Sequence, residues 1–300
     1  MERERAAAPR RRLAVIDSGI GGLGVVREIR RLLPAADIVY VADNGGFPYG
    51  ALADPEVVER CNRIVAAMER LVAPSAVVVA CNTASTIAIA ALRQAFKLPF
   101  VGCVPAIKWA ARVTKTKTFG LLATPATARR EYLRELIERF AADCTVLTHG
   151  SSRLAPVAER RFRRLPVDLG VIREEVEVLT RAPGGEALDT IVLGCTHYSF
   201  VLPELSAAAG PAITWLDPAG AVARRVRDFL SALPPDAPRR SPLPANVAIF
   251  TAPLRDAGEA ELMRERLAEF GFPELRIVDL VGAEGAPTRP TRTGAPVRPA

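Results

Sequence analysis

The sequence predicts an α/β fold of two similar domains. Each has a central parallel sheet, the two are related by an approximate two-fold axis, and the active site lies at the interface between them. Three observations carry this reading. Short apolar runs alternate with amphipathic helical stretches along the chain. The apolar runs are continuous, as in strands covered on both faces. And one arrangement occurs twice: "VVVACNTAST" (77–86) leads a valine-rich strand into Cys81 and small polar residues, and "TIVLGCTHYS" (190–199) leads an equivalent strand into Cys195, Thr196 and His197.

In chain order, strands are expected at 13–19, 37–43, 75–82, 98–104, 118–124, 144–149, 190–196 and 213–218, where β-branched and aromatic residues meet Gly, Asp, Asn or Pro. Between them the apolar period of 3–4 predicts helices over 22–33, 55–72 and 127–142. After the Pro-rich run 233–244, a further strand–helix–strand pattern occupies "VAIFTA", "GEAELMRERLAEFG" and "LRIVDL". The first domain is therefore expected to hold 12–103 and the returning segment 217–281, and the second 104–216. Residues 1–11 and the Pro-, Thr- and Arg-rich 282–300 are expected to be disordered.

Composition narrows the function. The chain has 300 residues, 49% of them apolar, with no apolar run of membrane-spanning length and no signal-peptide core, so a cytoplasmic protein is expected. The net charge of +7 does not mark a nucleic-acid surface: the first twelve residues carry +3, 283–300 carry +2 and 234–244 carry +1, leaving the folded body nearly neutral. The local cluster "RRFRR" (160–164) is expected to be a solvated helix face. Five cysteines without a CxxC pair, and two histidines, predict reduced thiols and no metal site. No partner is implied beyond a small-molecule substrate. A homodimer is compatible with the sequence, which does not set the oligomeric state.

Ligands of open α/β sheets bind at the carboxyl ends of the strands. Here those ends carry chemistry. Asp17 and Ser18 end the first strand before Gly19, Gly21 and Gly22, and Asp43 and Asn44 end the second before Pro48, Tyr49 and Gly50. Cys81 and Cys195 end the two repeated strands. The glycine spacing is not that of a dinucleotide fingerprint, and there is no Walker lysine. None of Lys97, Lys108, Lys115 and Lys117 ends a motif-bearing strand, so a pyridoxal Schiff base is not expected, and no cofactor is called for. Two thiols with carboxylates and an imidazole suit proton transfer, one thiol removing a proton and the other returning one to the opposite face.

The motifs "DSGIGGLGVV", "AD…PYG", "ACNTAST" and "GCTHY", in this order over residues 13–280, resemble the bacterial glutamate racemases of the cofactor-independent aspartate/glutamate racemase superfamily. The resemblance implies an isomerase that interconverts L- and D-glutamate and supplies D-glutamate for peptidoglycan. It implies that Cys81 acts on D-glutamate and Cys195 on L-glutamate. Asp17, Ser18, Tyr49, Gly50, Asn82, Thr83, Thr196 and His197 would hold the substrate, with Asp17 and His197 tuning the thiols. Asp43, the "ATPAT" residues Thr124 and Thr127, and Glu159 would support them. Ser199 stands where the family has Pro, and "THGSSRLAPVAE" replaces a family "CP" segment, so that His149 is expected either near the pocket or merely at a strand end. The rival readings are an aspartate or other amino-acid racemase, a non-catalytic binding relative, and a thiol redox protein.

Overall fold

The structure, a computed structural model, describes residues 11–233 and 241–282. The expected disorder at both termini falls on residues that lie, apart from Arg11 and Gly282, outside this range. In chain order the elements are β1 (Arg12–Asp17), α1 (Leu23–Leu32), β2 (Asp37–Ala42), α2 (Asp54–Val72), β3 (Ala76–Val79), α3 (Asn82–Ile87), α4 (Ile89–Ala95), β4 (Phe100–Gly102), α5 (Ile107–Val113), β5 (Thr118–Ala123), α6 (Pro125–Ala128), α7 (Glu131–Phe140), β6 (Thr145–Gly150), α8 (Leu154–Phe162), α9 (Leu169–Thr180), β7 (Thr190–Gly194), α10 (Leu202–Ala209), β8 (Thr214–Leu216), α11 (Ala219–Ala232), β9 (Val247–Phe250), α12 (Ala257–Glu269) and β10 (Glu274–Ile277). A 3-10 turn, Thr196–Val201, joins β7 to α10.

Two parallel sheets form, with strand orders β10-β9-β2-β1-β3-β4 and β6-β5-β7-β8. The order second–first–third–fourth thus recurs: β2-β1-β3-β4 in one sheet and β6-β5-β7-β8 in the other. Cys81 follows the third strand of the first set and Cys195 the third of the second, so the repeated motif sits at equivalent places. β9 and β10 extend only the first sheet, alongside β2.

The strand alternation divides each sheet's side chains between two apolar layers. Leu13, Val15, Ile38, Tyr40, Ala76 and Val78 face α1, α11 and α12, while Ala14, Ile16, Val39, Val41, Val77 and Val79 face α2, α3 and α4. Burial on both faces explains why these strands read as unbroken apolar runs. The edge strand β6 differs, being half exposed along its length. Phe162 of α8 buries itself in the first sheet's layer, which ties the two units together.

One expected helix is broken. The 127–142 stretch forms α6 and α7: the Thr124 hydroxyl accepts the Thr127 N–H and caps α6, and the chain leaves the helix at Arg130. Arg130 then takes an extended conformation and forms a two-pronged ion pair with Asp54 of the first unit.

Asp189, just before β7, gathers the loop ahead of β5. Its carboxylate accepts the N–H groups of Lys115 (2.6 Å) and Thr116 (3.0 Å) and the Thr190 hydroxyl (2.8 Å). Desolvation alone would raise its pKa, but the Thr116 N–H, the Thr114 and Thr190 hydroxyls and the Lys115 N–H outweigh it, holding the carboxyl at about 2 against an ordinary 3.8. A depressed folded pKa contributes stability above pH 3.8 that is lost as pH falls through about 2. Asp189→Asn should therefore cost about 1–2 kcal/mol at pH 7. Its Tm deficit against the parent should shrink as the pH is lowered below 3.8. A deficit independent of pH would contradict the assignment.

Candidate active site

Because both sheets are parallel, their polar strand ends collect on one edge each, and the two edges meet. The tip of β1 meets the turn after β7: Asp17 Oδ2 accepts the Thr196 hydroxyl at 2.9 Å, and His197 Nδ1 lies 4.0 Å from Asp17 Oδ1. The turn after β3 meets the turn after β5: Thr83 Oγ1 lies 3.0 Å from Thr124 Oγ1 and 3.3 Å from Thr127 Oγ1, and the latter two are 3.1 Å apart. Three hydroxyls thus form a closed triangle across the interface.

Asp17, Ser18, Tyr49, Asn82, Thr83, Thr196 and His197 are all buried, as are both thiols, each with 6% of its surface exposed. Gly50 packs its backbone against Thr124; a Cβ there would lie 3.0 Å from the threonine Cβ. Both Oδ1 and Nδ2 of Asn82 are buried without a hydrogen-bond partner among the described residues. An amide left unpaired in this way is costly unless a ligand completes it.

The glycines after β1 are required by close approach. A Cβ on Gly21 would lie 2.5 Å from His197 Nδ1 and 2.6 Å from Thr196 Oγ1, and one on Gly19 would overlap the Glu159 carboxylate. Tyr40 fixes this loop by donating its hydroxyl to the Gly19 carbonyl at 2.5 Å.

The two thiols have different surroundings. Cys81 caps α3, its Sγ accepting the Ala84 N–H at 3.5 Å. Burial, then the negative charge of Asp17, push this thiol well up, and the Ala84 N–H offsets only part of the rise. Cys195 Sγ lies 3.9 Å from His197 Nδ1. Burial pulls the imidazole pKa down, but the contacts with Cys195 and Glu159 and the charge of Asp17 win, and His197 is held well above its ordinary value. Glu159 completes this side: Oε1 accepts the Ile20 N–H at 2.9 Å and lies 3.2 Å from His197 Nε2. Desolvation would raise the Glu159 pKa, yet His197, Arg163 and the Ile20 N–H bring it below the usual range. Asp17 goes the other way, raised by burial in spite of His197. Phe47 closes over the imidazole, ring centroids 5.2 Å apart.

Other residues fall outside this group. Asp43 is fully buried behind Tyr49, taken up by Arg60 Nε (2.7 Å) and Nη2 (2.8 Å), the Tyr49 hydroxyl (2.6 Å) and the Thr251 hydroxyl. It orients Tyr49 and has no oxygen left for a substrate. His149 ends β6 and pairs with Glu175 at 2.5 Å. Cys61 lies behind Tyr49, its thiol pushed up to about 12 by burial and the Asp43 charge, which leaves it unreactive. All five cysteines are free thiols. Ser199 donates to Asp217 at 2.7 Å, at the crossover back to the first unit.

Sequence reasoning missed Tyr40, Arg60 and Arg163. The "RRFRR" run is not wholly a solvated face: Arg163 has only 17% of its side chain exposed and holds Glu159 Oε2 at 2.8 Å. The signal was present, since Glu159 and Arg163 are four apart on one helix.

Residues 15–226 match the family described as Asp/Glu/Hydantoin racemase. A glutamate racemase of Granulibacter bethesdensis is 44% identical over 279 residues, 90% of this chain and 98% of its own. One of Klebsiella pneumoniae is 40% identical, covering 91% and 93%. The crystal structure of Escherichia coli glutamate racemase with L-glutamate and the activator UDP-MurNAc-ala superposes with a TM-score of 0.81 at 39% identity, over 90% of this chain and 98% of that one. The Thermus thermophilus enzyme with beta-chloro-D-alanine gives 0.70 at 30% identity. Two free thiols at equivalent strand ends, and similarity along most of the chain, lead to one conclusion: this chain belongs to the Asp/Glu/Hydantoin racemase family.

Proposed function

We propose that the chain is a glutamate racemase, interconverting L- and D-glutamate by proton transfer between two thiols, with the D-glutamate formed feeding peptidoglycan synthesis. The observation that carries the mechanism is the placement of Cys81 and Cys195 after equivalent strands of two sheets whose carboxyl-end loops meet. Glutamate as substrate rests on the relatives, one of which holds L-glutamate.

In this reading the Thr83–Thr124–Thr127 triangle and the Asn82 amide receive one carboxylate of the substrate. Backbone N–H groups of the loops after β1 and β2 receive the other, and Asp17 faces the ammonium. Cys195, beside the charged His197, takes the α-proton of L-glutamate. Cys81, held protonated by burial and Asp17, gives its proton to the opposite face. From D-glutamate the roles reverse, the substrate's ammonium bringing the positive charge that the Cys81 side lacks. Fixed hydroxyl and amide donors, already in place, stabilise the charge that develops between the two transfers.

The test is circular dichroism of L-glutamate incubated with the protein, with no added cofactor and with chelator and an aminooxy reagent present. The signal should decay to zero. Aspartate should react more slowly by about 10–200-fold, the discrimination a single methylene allows. Equal or faster aspartate turnover would favour the sister activity, and loss of turnover in chelator that metal restores would overturn the cofactor-free reading.

A further inference from the structure

We infer that Arg163, held from across the interface by Glu259, is a positioning residue for the Cys195 half of the reaction. This rests on the racemase reading above, and specifically on Cys195 serving L-glutamate.

Glu159 has only two oxygens, and both are engaged. Oε1 is shared by the Ile20 N–H and His197, and Oε2 is held by Arg163 Nη2 at 2.8 Å. Arg163 Nη1 in turn lies 3.2 Å from Glu259 Oε1 on α12. Glu259 is fixed as well: its Oε2 accepts the Arg255 N–H at 2.8 Å and faces Arg255 Nε at 3.3 Å. A second tie, from Arg266 Nε to the Phe162 carbonyl at 2.8 Å, holds the end of α8 against α12. An alternating chain of charge therefore runs from Cys195 through His197, Glu159, Arg163 and Glu259 to Arg255.

The chain has a direction. Its contacts lead, one after another, to the imidazole beside Cys195. Without the guanidinium, a buried Glu159 would lose the partner of one oxygen. It would then either take a proton or turn away. In both cases the imidazolium loses its counter-charge, and the Cys195 thiol loses the neighbour that accompanies its proton transfers. Cys81 has its own partners, Asp17 and the Ala84 N–H, and should be affected far less.

The enantiomers are equal in energy, so kcat/KM must fall equally in both directions, and a fall alone would not identify the thiol involved. Isotope effects do. Initial rates should be measured with L- and D-glutamate, each with α-hydrogen and α-deuterium, for the parent, Arg163→Gln, Arg163→Lys and Glu259→Gln. Arg163→Gln should lower kcat/KM about tenfold, the factor carried by one pKa unit. Its isotope effect should rise with deuterated L-glutamate, where Cys195 breaks the labelled bond. It should shrink toward unity with deuterated D-glutamate, where the labelled step at Cys81 is no longer the slow one. Arg163→Lys should restore much of the loss, and Glu259→Gln should shift both isotope effects in the same directions by less. A merely structural role would lower the rates with both isotope effects unchanged, and that result, or an unaffected Arg163→Gln, overturns the inference. If Arg163→Gln does not fold, unchanged isotope effects in Glu259→Gln overturn it instead. A parent protein that does not racemise glutamate would sink the racemase reading itself.

Discussion

Cys81→Ala and Cys195→Ala should each abolish racemisation, with losses of at least about 10²–10⁴-fold, the range general acid–base groups contribute. Each transfer needs its own thiol, because one group cannot reach both faces of the α-carbon. The nearby groups among the described residues are poor replacements: Cys61 lies behind Tyr49, Cys103 is fully buried with its thiol pushed well up by desolvation, and His197 is already paired with Glu159. The same arrangement sets the fate of solvent label. When L-glutamate reacts in deuterated water and is stopped early, the D-product should carry deuterium at the α-carbon. Recovered L-glutamate should carry little, because the thiol that takes the proton is not the one that delivers the label. A single base would wash label into recovered substrate or pass the original hydrogen into product. Near-normal turnover in either alanine variant would end the two-thiol assignment.

Asp43→Ala should be the most destabilising single change near the site. The carboxylate is fully buried and takes two donors from Arg60 and one each from Tyr49 and Thr251. Removing it strips the Arg60 guanidinium, with 16% of its side chain exposed, of its hydrogen-bonded counter-charge, at a cost of about 3–5 kcal/mol. Tm should fall accordingly, and KM should rise as Tyr49 loosens. The cause can be separated by a second change. Arg60→Met in the Asp43→Ala background removes the stranded charge and should recover part of the stability. A double variant as unstable as the sum of the two single changes would show that packing, not the unpaired charge, sets the cost.

The strands were legible because both faces of each sheet are covered, so that β1, β2, β3, β5 and β7 appear as runs of Val, Ile, Leu and Ala. The thiols were legible because their motif occurs twice. What the sequence concealed depends on contacts between distant segments. Asp43 sits among strand-end polar groups exactly as Asp17 does in sequence terms, and only the approach of Arg60 from α2 takes it out of the chemistry. The helix break at Arg130 needs Asp54, 76 residues away, to hold the extended arginine. Arg163 looked like one more solvated charge in a basic run, and its neighbour Glu259 lies on a helix that returns to the interface only after the whole second sheet has been built.

The recurrence of one strand order in both sheets has a consequence for handedness. The two substrates are mirror images, but a protein made of L-residues can repeat itself only by rotation, never by reflection. Rotation can bring equivalent strand tips to opposite faces of one carbon, and in the proposed mechanism that is the part played by the ends of β3 and β7, the third strand of each repeated set. It cannot give the two tips mirrored surroundings. The loops must therefore differ, and they do: a helix cap and a carboxylate beside one sulfur, an imidazole and its carboxylate beside the other. Making the two halves more alike would not make a more even-handed enzyme. The fold supplies a matched pair of strand ends, and the unlike loops let that pair serve molecules that no rotation can superimpose.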